Sequence, residues 1–273
     1  MDKHFIDIEG ARLSYVDQGQ GPVVLMGHSY LWSAEMWAPQ VEALSTRYRV
    51  IVPELWGHGD SAPPPPGTTD MAALARQYLQ LLDALSISRC HVVGLSVGGM
   101  WGVHLALAHP SRVDRLVLMD TYLGAEPDPT RERYFALLDA ASQAGEFTDP
   151  LLDIIVPIFF HAGGATVPEV RERFRSDLKA FSAETIRNSI DPLGRLIFGR
   201  ENLLEQLSQL PAERSIVLGG DQDIPRPPAE ANEMSRLIGC LAAQIPDAGH
   251  ISSLENPRVI NDFLLNWLPR AAG

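Results

Sequence analysis

Residues 94–99 read Gly94-Leu95-Ser96-Val97-Gly98-Gly99 and join the apolar run Cys90-His91-Val92-Val93 to a segment, residues 97–109, of helical character. The run before the serine is short and rich in β-branched residues, as a buried strand is. Pro110 ends the segment behind it, because proline has no N–H for a helical hydrogen bond. A serine at a sharp strand-to-helix turn sits in strained backbone and lifts its hydroxyl above the sheet edge. Gly94 and Gly98 let neighbouring chain pass where a Cβ would collide. The helix behind aims unpaired N–H groups and a partial positive charge at the same point, which favours a developing oxyanion. The pattern G-x-S-x-G also arises by chance, with a serine that only caps a helix. The setting and the partners downstream decide between the two.

Outward from this turn, short apolar runs alternate with helical patterns. Strands are predicted at residues 4–8, 12–17, 22–26, 48–52, 90–95, 113–119, 215–218 and 240–245, the first two forming a hairpin at Glu9-Gly10. Helices are predicted at residues 35–46, 70–85, 97–109, 228–237 and 257–268. That alternation gives an α/β fold, a mostly parallel sheet with helices on both faces. Gly57-His58-Gly59-Asp60-Ser61 and the prolines at 63–66 break regular structure, and an exposed loop is expected there. Between about residues 122 and 205 the strand rhythm stops, and five helical patterns follow (130–143, 150–160, 168–181, 183–189 and 193–198). The expected organisation is a core of residues 1–121 and 206–273 carrying an inserted helical cap, residues 122–205.

The composition, 45% hydrophobic and 21% charged, is that of a chain that folds. With 34 acidic against 22 basic residues the net charge is −12 and no basic stripe occurs, which argues against a nucleic-acid partner or an anionic membrane surface. No stretch approaches the ~20 apolar residues of a bilayer span, and the first residues do not resemble a signal peptide. A cytoplasmic location is expected. Cys90 and Cys240 are read as buried free thiols, with a disulfide as the second reading. No clustered metal-ligand spacing is present, so neither metal nor other cofactor is expected. The oligomeric state is left between monomer and homodimer.

A serine hydroxyl needs a base to take its proton as it attacks. Of eight histidines, His250 lies in Asp247-Ala248-Gly249-His250-Ile251, between the last strand and the last helix. Loops at the carboxyl ends of parallel strands gather on one edge, where Ser96 must also lie. His104 and His109 fall on the helix behind Ser96, His4 and His91 flank strands, His58 belongs to the Gly57 turn and His161 to the cap. The acid that orients the imidazole is read as Asp223, in Gly219-Gly220-Asp221-Gln222-Asp223, ahead of Asp221. Asp120, after the strand at 113–119, stays open as the alternative; its plain reading is capping at the entrance to the cap. The chain order is then Ser96, Asp223, His250.

On these residues the sequence resembles the α/β-hydrolase superfamily over essentially its whole length. The matching landmarks are residues 25–29, 54–61, 94–99, 110–120, 220–223 and 248–257. GLSVGGMWG and AGHISSLENP resemble its carboxylesterase and 3-oxoadipate enol-lactonase-like branch. The resemblance implies an eight-stranded, mostly parallel sheet flanked by helices, and hydrolysis of esters or lactones through an acyl-enzyme. Two departures stand out. Relatives commonly place His-Gly after the third strand, where this chain has Gly27-His28-Ser29; in that register the N–H groups of Val97 and Ser29 form the oxyanion hole, ahead of Tyr30. Relatives also carry Asp-x-Arg-Gly where Glu54-Leu55-Trp56-Gly57 stands, so a usual ion pair is replaced by packing.

The substrate pocket is expected between cap and core, with His28, Tyr30, Trp32, Trp101, Phe159 and Phe160 as candidate lining residues. Core is the plain reading for any one of these aromatics, Trp101 above all. The net acidity and the lack of an obvious arginine clamp favour neutral, fairly apolar esters or lactones. A serine nucleophile argues against dehalogenase and epoxide hydrolase relatives, which use aspartate there. Two other readings share the residues: a carbon–carbon bond (diketone) hydrolase or perhydrolase on the same triad, and a small-molecule receptor on the hydrolase fold.

Overall fold

Eight stretches of the computed structural model, which describes residues 1–163 and 168–269, are strands. These are β1 (Lys3–Ile8), β2 (Ala11–Gln18), β3 (Val23–Gly27), β4 (Arg49–Pro53), β5 (Cys90–Leu95), β6 (Val113–Met119), β7 (Ser215–Gly220) and β8 (Leu241–Ile245). They form one sheet in the order β1-β2-β4-β3-β5-β6-β7-β8. β1 and β2 pair antiparallel, as do β2 and β4, and all later pairings are parallel. β5 is buried along its whole length, as a strand covered on both faces must be. β8, at the free edge, is exposed at four of its five residues, so its strand identity comes from pairing with β7.

Helices α1 (Ala38–Leu44), α2 (Met71–Ala84), α3 (Val97–Ala108), α9 (Pro228–Ile238), α10 (Ser252–Glu255) and α11 (Pro257–Trp267) accompany the sheet. The Asp70 carboxylate accepts from Ala73 N at 2.7 Å and so satisfies one free donor at the start of α2. Between β6 and β7 lie α4 (Asp128–Ala144), α5 (Asp149–Ile155), α6 (Pro168–Lys179), α7 (Ala183–Thr185) and α8 (Asp191–Phe198). The patterns at 183–189 and 193–198 are one run: α7 passes through a π turn, Ile186–Ile190, directly into α8. Pro192 stands at the start of α8, directly after that π turn. No described residue between 122 and 205 is in a strand, and no described helix is long and apolar enough to cross a membrane.

Two expectations are corrected. The stretch after β4 is not simply an exposed loop, since Trp56, Gly57 and His58 are buried. Trp56 Nε1 donates to Gln77 Oε1 at 2.7 Å, and the buried Glu54 carboxylate pairs with Lys3 Nζ at 3.2 Å. Glu54 thus keeps an ion pair, with a cation from β1, besides the packing that Trp56 supplies. His58 Nε2 accepts from Leu31 N at 3.0 Å, which fixes the proton on Nδ1, 2.9 Å from Trp56 O. The second correction concerns the cysteines: both are free, but only Cys90 is buried, Cys240 being half-buried beside the edge strand.

Candidate active site

Ser96 occupies the turn between β5 and α3 at φ 56° and ψ −121°. The turn closes because two glycines let backbones touch: a Cβ on Gly94 would lie 2.3 Å from Gly98 O, and one on Gly98 2.2 Å from Gly27 O. Ser96 N donates to Met119 O at 2.9 Å, and Ser96 O accepts from Thr121 Oγ1 at 2.7 Å. These bonds leave the side chain to project into a cavity of about 80 Å³. His250 opens on the same cavity, 4% exposed, from the loop before α10.

His250 Nδ1 lies 3.0 Å from Asp223 Oδ2 and 3.2 Å from Oδ1. With its Nδ1 proton directed at that carboxylate, the ring keeps Nε2 as the basic nitrogen. Asp223 is buried and also accepts from Arg226 N at 3.0 Å, which holds the carboxylate in place. The loop carrying His250 is tied on both sides. Gly249 N donates to Glu255 Oε2 at 2.7 Å and Ile251 N to Phe159 O at 3.2 Å, so α10 and the segment after α5 both grip it.

Asp120 is buried beside this pair but bonds elsewhere. Its carboxylate accepts from Gly220 N at 2.8 Å and from Ser252 Oγ, bracing the end of β7 against α10. Burial, and then the Asp223 charge, push its carboxyl well above the usual range. Asp221 ties down the same loop from Ala248 N at 3.3 Å. Of the three aspartates, only Asp223 bonds the imidazole.

The two expected oxyanion donors differ. Val97 is the first residue of α3, and a first-turn N–H has no intrahelical acceptor. Ser29 N, however, donates to the Met36 sulfur at 3.2 Å, a weak acceptor that an oxyanion would have to displace.

Of the expected lining residues, Tyr30 and Phe159 border the cavity; His28, Trp32, Trp101 and Phe160 do not. His28 has both ring nitrogens committed, Nε2 accepting from Leu55 N at 2.9 Å and Nδ1 donating to Ser29 O at 2.8 Å. Burial lowers its pKa to about 4, so it is a neutral brace for the loop. Trp101 is core, packed on Tyr78 at 4.6 Å and under Gly27. Trp32 stacks on Phe174 at 4.2 Å, and Phe160 meets both rings edge-on while Arg171 covers its face. These aromatics join the loop after β3 to residues 160 and 174 next to the cavity.

Two charged residues missed in the sequence line it: Glu126 and Arg226, ion-paired with each other and both buried. Arg226 overturns the impression that no arginine reaches the pocket. Its proximity to Asp223 in the chain was the available signal; nothing marked Glu126, a hundred positions away. Ser29, Tyr30 and Tyr134 also border the cavity, and most of the remaining wall is apolar, with Met100, Leu138, Phe147, Ile155, Ile197 and Phe198 among its residues.

A family profile described as "alpha/beta hydrolase fold" matches residues 22–257. The putative carbamate hydrolase RutD of Pantoea ananatis is 30% identical over 257 residues, covering 88% of this chain and 86% of that protein. Among solved structures, a thermophilic esterase from Thermogutta terrifontis with malate bound matches at TM-score 0.85 and 26% identity over 98% of both chains. The enol-lactonase from Burkholderia xenovorans LB400 matches at TM-score 0.84 and 26% identity, over 97% of this chain and 99% of that one.

Proposed function

This chain belongs to the α/β-hydrolase family, and from that premise we propose that it hydrolyses carboxylic esters or lactones with Ser96 as nucleophile, His250 as base and Asp223 as orienting acid. The observation that carries this reading is the convergence of Ser96 and His250 on one cavity, with His250 Nδ1 held against Asp223. His250 takes the Ser96 proton as the hydroxyl attacks the carbonyl carbon, and the carbonyl oxygen becomes the oxyanion. The Val97 N–H stabilises that charge; the Ser29 N–H joins it by leaving the Met36 sulfur. Each such donor contributes about 10²–10³ in rate. Protonated His250 then gives its proton to the leaving alcohol, and water activated by the same ring hydrolyses the acyl-enzyme. The cycle calls for no cofactor.

The names of similar proteins support this class of chemistry: an esterase, an enol-lactonase and a putative carbamate hydrolase all break bonds at an acyl carbon. The partner is accordingly a small molecule. The test is a panel of short 4-nitrophenyl esters, lactones, carbamates and diketones assayed on wild type and Ser96→Ala. Turnover of esters or lactones lost in Ser96→Ala supports the proposal. Turnover of diketones alone moves the chemistry to carbon–carbon cleavage, and tight binding without turnover marks a receptor.

A further inference from the structure

The catalytic cavity has a polar end that acyl transfer does not use. We propose that this end, formed by Glu126, Tyr134 and Arg226, recognises an uncharged hydrogen-bond donor on the substrate: a hydroxyl or an amide N–H. The inference rests on the hydrolase reading above and names the substrate class within it.

Glu126 is 4% exposed and borders the cavity. Both of its hydrogen bonds use Oε1, which accepts from Arg200 Nη1 at 2.8 Å and from Arg226 Nη2. Its Oε2 has no donor among the described residues. On a residue that borders the cavity, a carboxylate oxygen without a protein donor is an acceptor that a ligand's donor can satisfy. Tyr134 stands on the same wall, its ring stacked on Phe198 at 4.3 Å and therefore fixed in place. Its hydroxyl also has no partner among the described residues. Burial first, with Glu126 and Asp223 adding to it against Arg226, raises its pKa, so it remains a neutral phenol that can donate or accept.

Charge selects against ions at this end. A substrate carboxylate would meet Glu126 and would have to take over a guanidinium already bonded, Arg226 Nη1 to Glu230 at 3.3 Å and Nη2 to Glu126. An ammonium would lie beside Arg226, with Arg200 on the far side of the same carboxylate. An alkyl end would leave Oε2 without its donor. A hydroxyl or amide N–H satisfies Oε2, and the same group's oxygen can accept from Tyr134. Most of the rest of the cavity is apolar, so the substrate carries this group on an otherwise hydrocarbon frame.

The test uses short 4-nitrophenyl and alkyl esters of matched length ending in methyl, hydroxyl, carboxamide, carboxylate or ammonium, with the group on the acyl half in one set and on the alcohol half in another. In one of the two sets, hydroxyl and carboxamide ends should exceed methyl in kcat/KM by about 10- to 100-fold, the range of a hydrogen bond to a charged acceptor. Carboxylate and ammonium ends should fall below methyl. Tyr134→Phe should narrow the hydroxyl-to-methyl ratio several-fold, and Glu126→Gln should remove it while raising the carboxylate ester relative to the others. If Glu126→Gln fails to fold, Tyr134→Phe still decides. Equal kcat/KM for hydroxyl and methyl ends in both sets, or a preference for a charged end, overturns the inference. Should no ester be turned over, the hydrolase reading is what fails. Calorimetry on Ser96→Ala with short diols, hydroxyamides and alkanols then tests the polar end alone, tighter binding of the first two supporting it and equal binding overturning it.

Discussion

Two buried aspartates qualify by chain position for one role, and hydrogen bonds separate them. Asp223 faces His250 Nδ1, whereas Asp120 is satisfied by Gly220 N and Ser252 Oγ. Asp223→Asn should lower kcat by up to about 10⁴, because an amide can hold the ring in the wrong tautomer. Asp120→Asn should keep kcat within about tenfold, since its amide can still accept from Gly220 N and the loss is one rearranged hydrogen bond. Steady-state assays on one ester distinguish them, and the reverse order would make Asp120 the acid. That Ser96, Asp223 and His250 share one edge of the sheet was legible because each follows a strand, and strand ends can be read from apolar runs. The Ser29–Met36 bond was not: it depends on how the loop after β3 turns back, and no spacing records that.

At the scale of elements, the junction from β5 to α3 was legible in its glycines, and the structure supplies the reason. Gly98 passes so close to Gly27 that Gly98→Ala should cost more than about 3 kcal/mol or prevent folding, as a lower Tm and lost turnover would report. The coupling of the helices between β6 and β7 to the rest of the chain was less visible. Tyr30 OH donates to Ile190 O at 2.6 Å, joining the loop that carries Ser29 to the π turn before α8. π turns inside helices recur at functional sites, and this one cannot be read from a sequence whose apolar spacing is ordinary helix. Tyr30→Phe should cost about 1–3 kcal/mol, the penalty for a buried acceptor left without its donor. Urea unfolding measures that cost. Because Tyr30 also borders the cavity, KM should rise with it.

Over the whole molecule, the fold class was readable because it depends on the type and order of elements, while the charges that matter inside depend on distant pairing. Glu126, Arg200, Arg226 and Glu230 each look like ordinary surface residues in their own segments. Only the approach of residues 126 and 200 to the start of α9 brings them together, with Glu126, Arg200 and Arg226 buried and Glu230 half-buried. Burying ionisable groups sets how stability varies with pH. Burial lowers His58 to about 3 and His28 to about 4, from 6.5 when unfolded. The neutral rings are no burden above pH 6.5. As pH falls below 6.5 the unfolded chain takes up protons that the folded one does not, and stability drops. Glu230 acts with the opposite sign: burial raises it from 4.5 to about 7, so its contribution is complete below pH 4.5 and is lost as pH rises towards 7. Burial also lowers His91 and His104, which adds to the histidine side, and raises Asp120, which adds to Glu230. Four histidines outweigh these carboxyls, and the urea midpoint should fall on acidification from pH 6.5 to 5. Glu230→Gln removes one of the opposing contributions and should steepen that fall while raising the midpoint above pH 7. A midpoint that stays level from pH 6.5 to 5 in Glu230→Gln as well would count against neutral, buried His28 and His58, each of whose rings makes two backbone hydrogen bonds.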